Sequence, residues 1–185
     1  SLANLENGSK AFAFSSGLAA QSAVLEMLKP GDHIIAFDDL YGGTFRLLEE
    51  IKSKSSNLEI SYVDYNKVDL NKIIKNNTKL IWIETPTNPL LKITDLKKIA
   101  SIAKKHKVLT ICDNTFASPI NQKPLDLGID IVNHSTTKYI NGHSDIIGGA
   151  LIIGKNKKLA DKIAFIQNSV GAIPSPFDCF LILRA

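Results

Sequence analysis

The stretch Asn133-His-Ser-Thr-Thr-Lys-Tyr-Ile-Asn-Gly-His-Ser-Asp145 decides how the rest of the chain is read. An apolar run, Ile129 to Val132, leads into it, and a Gly-rich apolar run, Ile146 to Ile153, leads out. Lys138 is therefore expected at the end of a buried strand, behind three hydroxyl side chains, Ser135, Thr136 and Thr137. A lysine so placed, next to hydroxyls able to hold a phosphate, suits imine-forming chemistry. Read alone this is weak evidence, because most lysines are solvated surface residues.

Upstream, strands and helices alternate. Ala11-Phe-Ala-Phe14 reads as a strand running into Ser15-Ser16-Gly17 and a helix expected through Leu28, with Leu18, Val24, Leu25 and Leu28 on its apolar positions. Lys29-Pro30-Gly31 closes that helix. A helix N-terminus after a strand can bind an anion through its free amides, although local sequence alone favours Ser16 as a plain cap. His33 to Phe37 is the next strand, followed by Asp38-Asp-Leu-Tyr-Gly-Gly-Thr44 and a helix to about Lys54. Tyr41, in the loop after that strand, is a site residue or a turn tyrosine.

Glu59 to Val63 and Lys79 to Glu84 are further strands, with a brief helix capped by Asp69 between them. Two prolines in Thr85-Pro-Thr-Asn-Pro89 then constrain Asn88. A helix from Thr94-Asp95 to Lys105 precedes the strand Val108 to Cys112, and Asp113 follows as either a cap or a ligand group. Asp113 is expected to be the only carboxylate at the end of a buried strand in this set. Beyond the opening stretch, Lys155 to Ser169 is a helix, and a last helical pattern follows Pro174-Ser-Pro176 to Ala185. Such alternation predicts an α/β domain with a mostly parallel sheet flanked by helices.

Composition narrows the function classes. The chain has 185 residues, 44% of them hydrophobic and 22% charged, which suits one domain with a sizeable core. Its net charge of +4 comes almost wholly from lysines scattered along helical segments, with Arg46 and Arg184 the only arginines. That is a pattern of solvated helix faces, and no nucleic-acid partner is expected. Cys112 and Cys179 lie in apolar runs, which points to free thiols in a reducing compartment. With no signal peptide before Ser1 and no apolar run reaching about 18 residues, a cytoplasmic protein with no membrane partner is expected. His33, His106, His134 and His143 are too dispersed to suggest a metal site.

The candidate residues all fall at strand ends: Ser16, Gly17 and Leu18, Tyr41, Asn88, Asp113, then Ser135, Thr137 and Lys138. Strand ends on one edge of a sheet meet in one crevice. The set meets the needs of pyridoxal phosphate: a lysine to form an imine, a carboxylate for the pyridine nitrogen, an aromatic cover, and amides with hydroxyls for the phosphate.

The motifs Ser15-Ser-Gly-Leu18, Asp39-Leu-Tyr-Gly-Gly-Thr44, Glu84-Thr-Pro-Thr-Asn-Pro89, Asp113-Asn-Thr-Phe116, Ser135-Thr-Thr-Lys-Tyr139 and Gly142-His-Ser-Asp145 carry a resemblance through essentially the whole chain. It resembles the Cys/Met-metabolism family of pyridoxal-phosphate enzymes, which includes cystathionine γ-lyase, γ-synthase and β-lyase and methionine γ-lyase. The resemblance implies a fold-type I, aminotransferase-like large domain over residues 1–185. It implies Lys138 as the lysine carrying the cofactor, Asp113 on the pyridine nitrogen, and Tyr41 stacked on the ring with an acid/base role. Asn88 is implied on the ring hydroxyl and Gly17, Leu18, Ser135 and Thr137 on the phosphate, with Ser16 and Thr115 also in the cofactor-binding set. The family's N-terminal segment, which gives a tyrosine and an arginine to the neighbouring subunit's phosphate, has no counterpart here. Nor has its C-terminal domain, which supplies the arginine for the substrate carboxylate; Arg184 lies too early to replace it. The 185 residues are therefore expected to be poorly active alone, or a non-catalytic module.

The implied activity is transsulfuration on a small sulfur amino acid, by a tetramer of paired dimers. Gly142-His-Ser-Asp145 looks more like the lyases and γ-synthases than the sulfhydrylases, which tend to carry Gly-His-Gly-Thr. Gly43 stands where typical methionine γ-lyases carry a cysteine. Both favour cystathionine chemistry, with γ-elimination expected and γ-replacement on an acyl-homoserine the close alternative; β-elimination and methionine γ-elimination stand further off.

Overall fold

A computed structural model describes residues 1–184. Its strands are β1 (Lys10–Phe14), β2 (His33–Phe37), β3 (Glu59–Val63), β4 (Thr78–Glu84), β5 (Leu109–Asp113), β6 (Ile131–Ser135) and β7 (Gly149–Ile153). They form one 7-stranded sheet in the order β1-β7-β6-β5-β4-β2-β3. The pairs from β6 through β3 are parallel, while β7 runs antiparallel to both β6 and β1. Continuous apolar runs explain the centre: Ile34–Phe37, Leu80–Ile83, Ile111–Cys112 and Ala150–Ile153 are fully buried, as strands covered on both faces must be. The edge strand β3 is only half-buried beyond an exposed Glu59.

The helices are α1 (Leu2–Leu5), α2 (Gly17–Leu25), α3 (Gly42–Arg46), α4 (Ser53–Ser55), α5 (Leu70–Ile73), α6 (Leu96–His106), α7 (Ser118–Asn121), α8 (Lys157–Val170) and α9 (Pro176–Ile182). A π-helical segment, Leu47–Lys52, joins α3 to α4. Side-chain oxygens of Ser16, Asp69, Asp95, Asn156 and Ser175 accept N–H groups at five helix starts, meeting donors that the first turn leaves unpaired. The α2 helix packs on β1, β6 and β7, α8 on β1 and α2, and α6 on β5.

Two sequence-based bounds need correction. The second helix stops at Leu25, not Leu28. After Glu26 N–H reaches Ser22 O, Met27 and Leu28 make tighter bonds to Val24 and Leu25, the form a chain takes on approaching Pro30. Strand β7 begins at Gly149, not Ile146, because the Gly148 N–H is taken by Thr137 Oγ1 at 3.0 Å and not by a ladder partner. The final helical pattern appears as α9, and Ala185 lies outside the described residues. Among the described residues no helix is long and apolar enough to cross a membrane.

Candidate active site

The parallel strands end on the same edge of the sheet, and their last residues build the floor of a crevice. Glu84 ends β4, Asp113 ends β5 and Ser135 ends β6. In register, Glu84 faces Asp113 and Asp113 faces Asn133, so three polar side chains stand in a row across β4, β5 and β6. Over Glu84 and Asp113, with Asn133 buried beneath the lining, lies a pocket of about 540 Å³, a size that suits a small cofactor. Its walls hold every residue expected from the sequence: Ser16, Gly17, Leu18, Tyr41, Asn88, Asp113, Thr115, Ser135, Thr137 and Lys138.

One end of the pocket is the start of α2. Ser16 does cap the helix, its Oγ accepting the Ala19 N–H at 3.0 Å. The next amides, Gly17 and Leu18, lie beyond the reach of any intrahelical acceptor and stay free for an anion, so capping and anion binding coexist. The approach of this turn to the sheet needs glycine. A Cβ on Gly17 would come 3.0 Å from Ser135 Cβ, and one on Gly149 would come 2.1 Å from Ser16 O. Leu18, placed among the core positions from sequence, is 36% exposed and lines the pocket instead.

Lys138 sits three residues past β6 in a turn closed by Lys138 N–H to Ser135 O and Gly142 N–H to Lys138 O, at 3.2 and 2.8 Å. Thr137 points back across this turn, its hydroxyl donating to Gly148 O at 3.2 Å.

Asp113 is a buried acceptor. Its Oδ2 takes Gln21 Nε2 at 3.2 Å and Asn133 Nδ2 at 2.8 Å, and its Oδ1 takes the Thr115 N–H at 3.0 Å. Gln21 is oriented in turn by the Thr44 hydroxyl, which donates to its Oε1 at 3.0 Å. Thr115 also fixes β6, accepting the Ser135 N–H at 2.9 Å.

Asp113 is not the only carboxylate here. Glu84, 5% exposed, lines the same pocket and accepts the Tyr41 N–H on Oε2 at 2.9 Å. Burial first, then the negative charges of Asp113 and Asp39, push its carboxyl up to about 8 against the pull of the Tyr41 amide. Sequence reading missed Glu84 as a site group because its opposition to Asp113 depends on the pairing of β4 with β5. Gln21, Phe116 and Ile147 also line the pocket unforeseen. Spacing gives one usable signal: Gln21 follows Gly17 by one helical turn and shares its face.

Tyr41 leads into α3 and stays half-exposed at 46%. Its ring lies against Gly43, where an added Cβ would come 2.4 Å from Tyr41 Cε1. Asn88 follows from a turn tied to the Tyr41 loop. Asp39 there accepts the Thr87 hydroxyl and, at 3.1 Å, the Leu90 N–H.

The assembled pocket offers an anion seat, a lysine at its rim, a buried acceptor on its floor and a tyrosine at its side. That matches a phosphorylated aromatic aldehyde with a protonated ring nitrogen. No group of three or more metal-ligating side chains forms among the described residues.

Comparisons with known proteins bear on the family and the fold. The family model described as "Cys/Met metabolism PLP-dependent enzyme" matches residues 1–185. A cystathionine beta-lyase of Coxiella burnetii is 52% identical over 99% of this chain and 48% of its own length. A probable cystathionine gamma-synthase of Herpetosiphon aurantiacus is 50% identical over 99% of this chain and 57% of its own. The crystal structure of a cystathionine gamma-lyase from Lactobacillus plantarum, complexed with L-serine, superposes with a TM-score of 0.94 at 48% identity, covering 99% of this chain and 48% of that one. The chain thus spans about half the length of the relatives it matches.

Proposed function

The chain belongs to the Cys/Met-metabolism family of pyridoxal-phosphate-dependent enzymes, and from that premise we propose that residues 1–185 form the cofactor-binding large domain of a cystathionine γ-lyase-like enzyme. The proposed reaction is γ-elimination from cystathionine, giving cysteine, 2-oxobutyrate and ammonia. The observation that carries the reading is the convergence of all the sequence-chosen residues on one pocket over the Glu84–Asp113–Asn133 row.

The bound cofactor supplies an electron sink beside the substrate α-carbon. Lys138 Nζ is assigned as the covalent anchor and as the base that takes first the α-proton and then a β-proton. Asp113, held by three N–H donors, is assigned to keep the ring nitrogen protonated. The free amides of Gly17 and Leu18, with the Ser16, Ser135 and Thr137 hydroxyls, are assigned to the phosphate, Thr137 by rotating its O–H away from Gly148 O. Thr115 supports that end through its bond to Ser135. Asn88 is assigned to the ring hydroxyl. Tyr41 is assigned to cover the ring and to protonate the leaving sulfur.

Gly43 favours cystathionine over methionine as substrate. The cysteine that the resemblance places there in methionine γ-lyases would put its Cβ 2.4 Å from Tyr41 Cε1, so the Tyr41 ring position seen here goes with glycine. A second reading, γ-replacement on an activated homoserine, is kept because a relative at 50% identity is named a gamma-synthase. We further propose a cytoplasmic protein assembling as paired dimers, which light scattering on the natural polypeptide tests. Incubating that polypeptide with cystathionine and identifying the 2-oxoacid tests the reaction. Pyruvate as the main product, or no reaction until acyl-homoserine and cysteine are supplied, would overturn γ-elimination.

A further inference from the structure

We infer that Glu84 is a positioning residue that works as a neutral carboxylic acid, sharing the pocket floor with an ionised Asp113 and fastening the Tyr41 loop to the end of β4. Glu84 and Asp113 are directly paired on neighbouring parallel strands, and both are buried, at 5% and 7% exposure. Strands lie about 4.8 Å apart, and like charges directly opposite one another are unfavourable, the more so away from water. Two such carboxyls resolve the conflict by sharing one proton.

The hydrogen bonds decide which carboxyl takes it. Asp113 collects N–H donors from Gln21, Asn133 and Thr115, each favouring the ionised form. Glu84 accepts the Tyr41 N–H, with the Asn88 amide acting in the same direction. Around Glu84 stand Asp113 on β5 and Asp39 in the loop after β2, both raising its affinity for a proton, while Lys138 lines the same pocket. The donor-rich member keeps the charge and the donor-poor member takes the proton.

Two consequences follow for the site. The Tyr41 loop hangs on an acceptor that stays in place without adding a second negative charge beside Asp113. The pocket floor then presents one anion to whatever cationic nitrogen faces it. Only this second consequence rests on the pyridoxal-phosphate reading.

The protonation itself is testable without cofactor. In cofactor-free protein, infrared titration should show a carboxylic-acid carbonyl band at neutral pH that disappears with a midpoint near pH 8 and is absent from Glu84→Gln. The sign of the stability effect follows from the folded state binding the proton more tightly than the unfolded one. Wild type should lose stability as pH rises from about 4.5 to about 8, and Glu84→Gln, neutral throughout, should lack that slope. Absence of the band at neutral pH, equal slopes in the two proteins, or failure of Glu84→Gln to fold would each overturn the inference. The positioning role is read on the loaded protein by cofactor absorbance. Glu84→Gln, which keeps an acceptor for the Tyr41 N–H, should stay within about threefold of wild-type affinity, whereas Glu84→Ala should lose about tenfold. Equal losses in both variants would remove the positioning role. Failure of wild type to bind pyridoxal phosphate would instead count against the proposed function and leave the infrared result standing.

Discussion

The roles proposed for Lys138 and Asp113 ask opposite things of the two side chains, freedom for one and a fixed seat for the other. Lys138 is exposed at the pocket rim and has no hydrogen bond to its Nζ among the described residues, which suits the covalent role proposed for it. Borohydride reduction of the cofactor-loaded protein followed by peptide mapping is expected to place the pyridoxyl group on Lys138; label on another lysine, with none here, would refute that role. Asp113 is the opposite case, buried and held from three directions. In Asp113→Asn an NH₂ must replace one acceptor oxygen, facing either the Thr115 N–H or the Gln21 and Asn133 amides. Placed in a longer polypeptide that turns over substrate, the variant is expected to retain some cofactor while kcat falls by roughly a hundredfold or more, because under the proposed role a neutral amide cannot hold the ring nitrogen's proton. Near-normal kcat would assign that work elsewhere. Burial and the Asp113 charge also raise the Cys112 thiol well above its ordinary value, so it is not a candidate nucleophile.

At the level of elements, local sequence was a good guide wherever one signal dominated. The bounds of β2 and β3 match the sequence reading because each is a short β-rich run between turn residues. Asp69 caps its helix as expected, and Asp95 caps the next, because an acceptor at a helix start acts within one turn. Legibility failed where the decisive partner lay far along the chain. Thr137 stops β7 from starting at Ile146, Asp113 draws Gln21 inward, and β4–β5 register sets Glu84 beside Asp113. The start of α3 shows what one added atom would do. In Gly43→Cys the new Cβ needs the space of the Tyr41 ring, so the ring must swing aside. Made in a polypeptide that carries out the proposed reaction, Gly43→Cys is expected to lower turnover of cystathionine by about tenfold to a hundredfold, with little change in melting temperature because Tyr41 is half-exposed. Steady-state kinetics beside a thermal melt checks this, and unchanged kinetics would remove Tyr41 from the machinery.

For the molecule as a whole, the binding crevice is open and parts of the surface are strongly apolar. Leu90, Leu91 and Ile93 beside the Asn88 turn are 66%, 59% and 65% exposed, and Ile147 at the pocket is 65% exposed. A groove of about 600 Å³ near the chain's two ends is lined by Leu2, Leu5, Ile120, Tyr139, Ile140 and Leu183. Apolar surface on this scale is of the kind that a protein partner, a ligand or a membrane covers, and the paired-dimer assembly proposed above would cover it with protein. The resemblance assigns to such further protein a tyrosine and an arginine for the phosphate, and an arginine for the substrate carboxylate. Residues 1–185 produced alone retain the α2 amides, the hydroxyls, Lys138 and Asp113, so they should still take up pyridoxal phosphate. A charge-assisted contact to the phosphate is worth about 1.5–3 kcal/mol, so affinity should lie at least tens- to hundreds-fold below that of a longer polypeptide whose proposed assembly supplies such contacts. Turnover should be close to nil, because nothing in the pocket of this chain offers a guanidinium to the substrate: Arg184 is committed to an ion pair with Asp145, and Arg46 lies on α3 outside the pocket lining. Absorbance titration with pyridoxal phosphate and an assay of 2-oxoacid release, run side by side on the 185 residues and on the natural polypeptide, measure both quantities. Equal affinity and equal turnover in the two would mean that the pocket described here is sufficient by itself.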